Sequence, residues 1–487
     1  MGFEPNFLIF SRQMSFMKTL FTLCISLFVC LATTLAQPAF EGSWEGVLKI
    51  QGMELPLVVH LNNSKTGYVG KFDSPKQKAF GIPLSTVQVA GDTLVFTVTE
   101  AQIRYQGAWV EGDSVVGTFT QAGRSMAMNL RRQIAGKGTS EPLPVVRSQN
   151  PAKPYPYNSK EVKIKNKDAK LQLAATLSMP TGKGPFPAAI LISGSGPQNR
   201  NSEVFDHQPF LVLSDYLTRK GIAVLRYDDR GVAGSTGDFS SATSADFATD
   251  AAAAYDFLAK TKGIDKQKIG FIGHSEGGMI APLAFELRPK TGFVVLLAGV
   301  GIPVNELLME QLQAVGSTEG LSQATIDSQM LINKNIFGWL KQLPVEQAKD
   351  SIETLFIEAL KKLPIGDVEA RQQLELQQKS AMKTYTDPWF LYFIQYEPAA
   401  ALAKVSCPVL ALNGDKDVQV IAESNLAGIQ AALQKGGNSQ VQIEALVGLN
   451  HLFQPSKTGA VSEYAEIDIT FDEATMQKIS DWILQLK

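Results

Sequence analysis

Apolar and polar positions follow two different rhythms along this chain. Between residues 37 and 133 apolar residues recur at every second position in short runs, clearest in Trp44–Ile50, Leu55–Leu61, Thr93–Val98 and Ser114–Phe119. Period two is the mark of a strand with one buried face. Turn formers separate the runs, among them Asn62-Asn63, Gly91-Asp92 and Glu111-Gly112-Asp113. About eight such strands predict a small antiparallel barrel or sandwich. From Val162 onward the rhythm changes. Near-continuous apolar runs (Ala188–Ser193, Ile222–Asp228, Lys268–Ile272, Phe293–Leu297, Val409–Leu412) alternate with helix-length segments (Pro209–Lys220, Ser244–Lys260, Gly277–Leu287, Ala422–Gln434, Asp472–Leu486). Strands covered on both faces lose their alternation. Strand–helix alternation predicts a mostly parallel, doubly wound α/β sheet over residues 158–487.

Two segments interrupt this plan. Residues 134–157 hold Gly136, Gly138, Pro142, Pro144, Pro151, Pro154 and Pro156, the composition of an extended linker. Between Ala298 and Lys404 the chain is far longer than a crossover requires. Helical spacing in Val304–Val315, Ser322–Leu343, Pro344–Lys362 and Val368–Tyr385 predicts a helical cap at about 302–395. Trp389, Phe390 and Phe393 either line a pocket beneath that cap or form its core.

The N-terminus has the layout of a targeting segment. Lys18 precedes the apolar run Leu20–Ala32, and small Ala36 follows. A basic start, a short apolar stretch and a small-residue exit predict a secretory signal over 1–36, cleaved after Ala36. The run is too short to span a membrane. Val29 before Cys30 is too large for a lipid-attachment site, so the expectation is an exported protein, periplasmic or secreted, with no lipid anchor. Cys407 is then the one cysteine left, and no internal disulfide forms. The 45 basic and 47 acidic residues leave a net charge of −2, which gives no electrostatic reason to bind nucleic acid or an anionic membrane.

One elbow carries the chemistry. Gly273-His274-Ser275-Glu276-Gly277 follows an apolar strand and opens a helix-like run. A serine there must take a strained backbone, and only glycines two before and two after let the chain pass. A serine hydroxyl needs a base. The chain has four histidines. His274 is the serine's neighbour, His60 lies in the other domain, and His207 lies upstream. His451 follows both the serine and the last strand, in the order Ser–acid–His that this architecture requires. The acid falls between them, in Gly414-Asp415-Lys416-Asp417. Asp417 is the choice, since residues must clear the turn before a side chain reaches back; Asp415 is the runner-up, or a turn former. Backbone N–H groups of Glu276 and of Ser195, in the glycine-rich loop after Ala188–Ser193, are the expected oxyanion donors. Asp228-Asp229-Arg230 reads as a carboxylate–guanidinium tether shaping a loop. Glu203, Asp206 and His207 lack the spacing and the cysteine partners of a metal site.

Taken together, Ser193-Gly194-Ser195-Gly196-Pro197-Gln198, Asp228–Gly231, Gly273–Gly277, Leu412–Val420 and Gly448–Gln454 resemble the α/β-hydrolase superfamily. More narrowly they resemble bacterial serine carboxylesterases of the EstD type, which carry an N-terminal accessory domain. The resemblance covers about two thirds of the chain and leaves out residues 38–133. It implies hydrolysis of carboxylic esters, commonly of short acyl chains, on small-molecule substrates and without a cofactor. It places the acid three residues after a glycine, which matches Asp417. One departure is Ser193, where related hydrolases often carry a histidine before the oxyanion glycine. Rival readings are a peptidase, for which Glu203 and Asp206 are the acids available to hold a substrate amine, or an acyltransferase on the same triad, and an exported binding module whose barrel holds an apolar or glycan ligand.

Overall fold

A computed structural model describes residues 40–133 and 147–486, apart from most of 343–383 and a few short interruptions between 51 and 123. The expected signal over 1–36, the first half of the expected linker and the middle of the expected cap lie outside the described residues. The chain folds as two compact units, Met1–Gly138 and Thr139–Lys487.

The first unit is one antiparallel sheet of ten strands: β1 (Gly42–Ile50), β2 (Met53–Ser64), β3 (Gly67–Ser74), β4 (Ala79–Pro83), β5 (Thr86–Ala90), β6 (Thr93–Val98), β7 (Ile103–Val110), β8 (Ser114–Gln121), β9 (Arg124–Ala127) and β10 (Leu130–Arg132). Their order is β4-β3-β2-β1-β10-β8-β7-β6-β5, with β9 added to β8. Alternate residues such as Trp44, Val59, Phe96 and Tyr105 all enter one core. A single sheet whose inward side chains meet one another has to curl, and the result is a half-barrel. The alternating stretch Ser125–Leu130 breaks at Met128-Asn129 into β9 and β10, and β4 adds a strand whose sequence shows no clear alternation. On the outward face, His60 bridges three strands. Its Nδ1 lies 2.7 Å from Ser43 Oγ and its Nε2 2.8 Å from Asp73 Oδ2.

The second unit is built on β11 (Asn158–Asn166), β12 (Leu171–Met179), β13 (Phe186–Ile192), β14 (Ala223–Tyr227), β15 (Ile264–His274), β16 (Phe293–Leu297), β17 (Val409–Gly414) and β18 (Val441–Leu446). The order is β11-β12-β14-β13-β15-β16-β17-β18. β11, β12 and β14 pair antiparallel, and every pair from β14–β13 onward is parallel. Successive residues of β13 feed opposite cores, Ala188 and Ile190 one and Ala189 and Leu191 the other. That is why its sequence is apolar throughout. Helices Ser244–Leu258, Glu276–Leu287 and Ala422–Lys435 cover the first face through Ala251, Ile280 and Ile429. Helices Pro209–Arg219 and Glu473–Gln485 cover the second through Leu213 and Ile479. This is the α/β-hydrolase fold.

Two features depart from the sequence pattern. β11 carries exposed Lys160, Lys163 and Lys165, the polar dressing of an edge strand. Residues 147–157, read as part of a linker, pack onto this unit instead. Arg147 is buried and donates to the carbonyls of Phe205, Ala465 and Ile467.

The insertion between β16 and β17 contains helices Val304–Thr318, Gln323–Gln342 and Pro388–Gln395. They share a separate core of Leu307, Ile336, Phe337, Phe390 and Ile394, closed at its base by Met279 and Val420. Phe390 therefore belongs to the cap core. Among the described residues, no helix is long and apolar enough to cross a membrane.

Candidate active site

β15 ends at His274 and a helix begins at Glu276, so Ser275 alone makes the turn. Its φ of 55° and ψ of −120° lie where a side chain is strained. A Cβ at Gly273 would come within 2.0 Å of Gly277 O, and one at Gly277 within 2.2 Å of Ile192 O. Both neighbours are backbone and cannot yield, so glycine is obligatory on each side. The first N–H groups of the following helix have no intrahelical acceptor and lie beside the serine.

His451 sits in the loop after β18. Asn450 Oδ1 folds that loop by accepting from Leu452 N at 3.0 Å and Gln454 N at 2.9 Å. His451 Nδ1 lies 2.7 Å from Asp417 Oδ2, and the Asp417 side chain is fully enclosed. Asp417 Oδ1 accepts from Gln419 N at 2.8 Å and Val420 N at 2.9 Å, which fixes the plane of the carboxylate. Asp415 is exposed and accepts from Gly448 N at 2.7 Å, so it holds the turn. With Nδ1 engaged, Nε2 is the nitrogen left to face the cleft. His274 packs its ring 4.8 Å from that of His451 and donates from Nε2 to the His451 carbonyl at 2.9 Å. Burial foremost, and then the His451 charge, push His274 down to about 3, so it stays neutral.

The loop Ser193–Gln198 lies directly over the serine. A Cβ at Gly194 would stand 3.1 Å from Ser275 Cβ. Asp229 anchors both ends of this loop. It accepts from Ser193 Oγ at 2.8 Å and Gln198 N at 2.9 Å, while its own N–H donates to Gln198 O at 3.1 Å. Burial is the main cause that pushes Asp229 up to about 7. The tether expected at residues 228–230 thus fans out to three places. Asp228 pairs with Arg200 at 2.8 Å, Asp229 with the loop, and Arg230 with Asp250 at 2.7 Å.

The Glu276 side chain adds a role that its place in the elbow did not suggest. Its buried carboxyl accepts from Ser244 Oγ at 2.6 Å, from Trp389 Nε1 at 2.8 Å and from the Ser195 side chain. Burial raises its pKa. The residue that follows the serine therefore joins the cap helix to the loop over the serine.

Ser275, Glu276, Ser195 and His451 line one cleft of about 340 Å³. Val300, Leu307, Leu308, Trp389, Phe393 and Val420 give it an apolar wall, and Gln198, Ser202, Gln311 and Gln419 add polar positions. Trp389 and Phe393 thus belong to the cleft. His207 is buried elsewhere, with Nδ1 2.8 Å from Thr470 Oγ1 and Nε2 3.0 Å from Tyr464 O. Among the described residues, no group of His, Cys, Asp and Glu side chains could hold a metal. Cys407 is buried, and burial pushes its thiol up to about 12.

Esterase EstD of Thermotoga maritima is 25% identical over 280 residues, which span 58% of this chain and 58% of EstD. Solved structures that resemble this one include the α/β-hydrolase GrgF of Penicillium sp. sh18 (14% identity, 68% of this chain and 99% of that one, TM-score 0.41). Another is an esterase of Pyrococcus furiosus (15% identity, 68% and 93%, TM-score 0.38). Residues 139–443 match the profile of the X-Pro dipeptidyl-peptidase (S15) family, more than half of the chain, and the chain belongs to that family.

Proposed function

We propose that this chain is an exported serine hydrolase that cleaves carboxylic esters of short acyl chains through an acyl-serine intermediate. The observation that carries the reading is the enclosed Asp417–His451 pair at 2.7 Å, with His451 sharing a cleft with the strained Ser275. Ser275 Oγ attacks the ester carbonyl carbon while His451 Nε2 takes its proton. Asp417 orients the imidazole and favours the imidazolium that forms. The carbonyl oxygen gains negative charge facing the N–H groups of Glu276 and Ser195. Collapse expels the alcohol, protonated by His451, and leaves the acyl group on Ser275. His451 then deprotonates a water, which attacks the acyl-serine and frees the acid. Water is the sole co-reactant.

The family's description favours a second reading, release of X-Pro dipeptides. That reaction must hold a free α-ammonium, which calls for an available carboxylate. Among the described residues that line the cleft Glu276 is the one acid, and it already accepts three hydrogen bonds; Glu203 and Asp206 are not among the lining residues. A cleft of this lining suits a neutral ester better. Export rests on the segment 1–36, and a mature chain that begins at Gln37 is its test.

The deciding experiment is labelling with a fluorophosphonate and peptide mapping, beside panels of p-nitrophenyl esters and X-Pro p-nitroanilides. The expected result is label on Ser275, lost in Ser275→Ala, with turnover of esters and not of X-Pro anilides. Faster turnover of X-Pro anilides would overturn the ester reading. A folded chain that takes no label would overturn the hydrolase reading altogether.

A further inference from the structure

A second cleft, of about 490 Å³, lies along Phe239, Ser240, Thr384 and Asp387. Ser195 and Trp389 are the two residues that line both this cleft and the one over Ser275. Trp389 is firmly held. Its backbone N–H donates to the helix-capping Asp387 carboxylate at 2.8 Å. Its indole Nε1 donates to Glu276 at 2.8 Å. Its ring stacks on Phe393 with centroids 5.1 Å apart and planes 14° apart. Phe239, on the far side, stacks on Phe247 and gives the second cleft an aromatic wall. A fixed indole between two spaces limits how far a chain in the first can extend.

Building on the ester reading above, we propose that Trp389 determines substrate length, and that the second cleft is a walled-off subsite fitted to an unbranched apolar chain. The chemistry is the same whether that chain belongs to the acyl or the alcohol arm, so both arms enter the test. Two ester series are measured, p-nitrophenyl acetate through laurate, and acetates of methanol through decanol. The proteins are the wild type, Trp389→Ala, Trp389→Leu, Trp389→Phe, and Trp389→Ala combined with Ser240→Phe.

The wild type is expected to favour short chains. Trp389→Ala and Trp389→Leu move the optimum to longer chains, with kcat/KM rising about fourfold for each methylene that enters. Trp389→Phe keeps a wall but loses the bond to Glu276, and it keeps the wild-type optimum. Ser240→Phe blocks the far cleft and cancels the gain of Trp389→Ala. The series that shifts identifies the arm. An unshifted optimum in Trp389→Ala and Trp389→Leu, both still labelled at Ser275, overturns the proposal and leaves the ester reading intact. A shift that Ser240→Phe does not cancel also overturns it. A wild type that neither takes label nor cleaves any ester overturns both.

Discussion

Asp417→Asn changes almost no volume and tests the centre of the site. Asp417 uses both oxygens: Oδ1 takes the N–H groups of Gln419 and Val420, and Oδ2 meets His451 Nδ1. Asparagine has one oxygen. If that oxygen keeps the two N–H donors, the amide NH₂ faces Nδ1, which must then accept. The imidazole proton moves to Nε2, the nitrogen that has to take a proton from Ser275. If the amide flips instead, its NH₂ faces two donors in a fully enclosed place, at about 1–3 kcal/mol for each lost acceptor. The first arrangement wins, and it locks the base in the wrong tautomer. In serine triads that error costs about 10⁴ in kcat, or about 5.5 kcal/mol. Stopped-flow release of p-nitrophenol should show this loss in acylation rate, with KM nearly unchanged. The melting temperature should stay close to that of the wild type. Asp415→Asn is the control, since Asp415 holds a turn and faces solvent. A loss below about tenfold in Asp417→Asn, or a larger loss in Asp415→Asn, would refute the assignment.

Other outcomes follow from the same geometry. Ser43→Ala should leave fluorophosphonate labelling intact although Ser43, His60 and Asp73 are joined by hydrogen bonds, because they lie on the outer face of a sheet and line none of the clefts described above; label on Ser43 would contradict this. Asp229 has a pKa raised by burial to about 7 from an ordinary 3.8, so the folded state binds the extra proton between these values. Its contribution to stability is complete below pH 3.8 and is lost as pH rises through about 7. Urea midpoints should therefore fall more steeply over that range in the wild type than in Asp229→Asn, and equal slopes would count against it. Gly277→Ala drives a Cβ to 2.2 Å from Ile192 O. It should cost at least about 1–3 kcal/mol, read as a lower melting temperature, and an unchanged melt would count against the tight backbone approach at the elbow.

What the sequence made legible has a physical pattern. Strands β13 to β17 stood out because burial on both faces leaves unbroken apolar runs. The elbow stood out because backbone-to-backbone approach admits only glycine, and His451 because histidines are scarce. Asp417 and Asp415 are chemically identical two residues apart, and only the enclosure of one and exposure of the other separates them. The Glu276 carboxyl could not be placed in advance, since its partners Ser195, Ser244 and Trp389 come from three distant segments. Arg147 was hidden for a similar reason: it lies in a stretch rich in proline, and its acceptors are carbonyls from far along the chain. β11 was obscured by lysines that serve its place at the sheet edge.

β16 and β17 lie side by side, Leu296 opposite Ala411, although the whole cap is threaded between them. Chain-closure entropy grows slowly, by about 0.6 kcal/mol for each doubling of a loop. The sheet is therefore nearly indifferent to the length of what is spliced in at Leu297. Trp389 and Phe393 come from the spliced segment, whereas Ser275, Asp417 and His451 come from the sheet's own loops. On the readings proposed above, exchanging this one cassette would reshape the walls of the cleft and leave Ser275, Asp417 and His451 in place. The burden falls on folding time, because the β16–β17 pairing has to wait for a long stretch of chain to close.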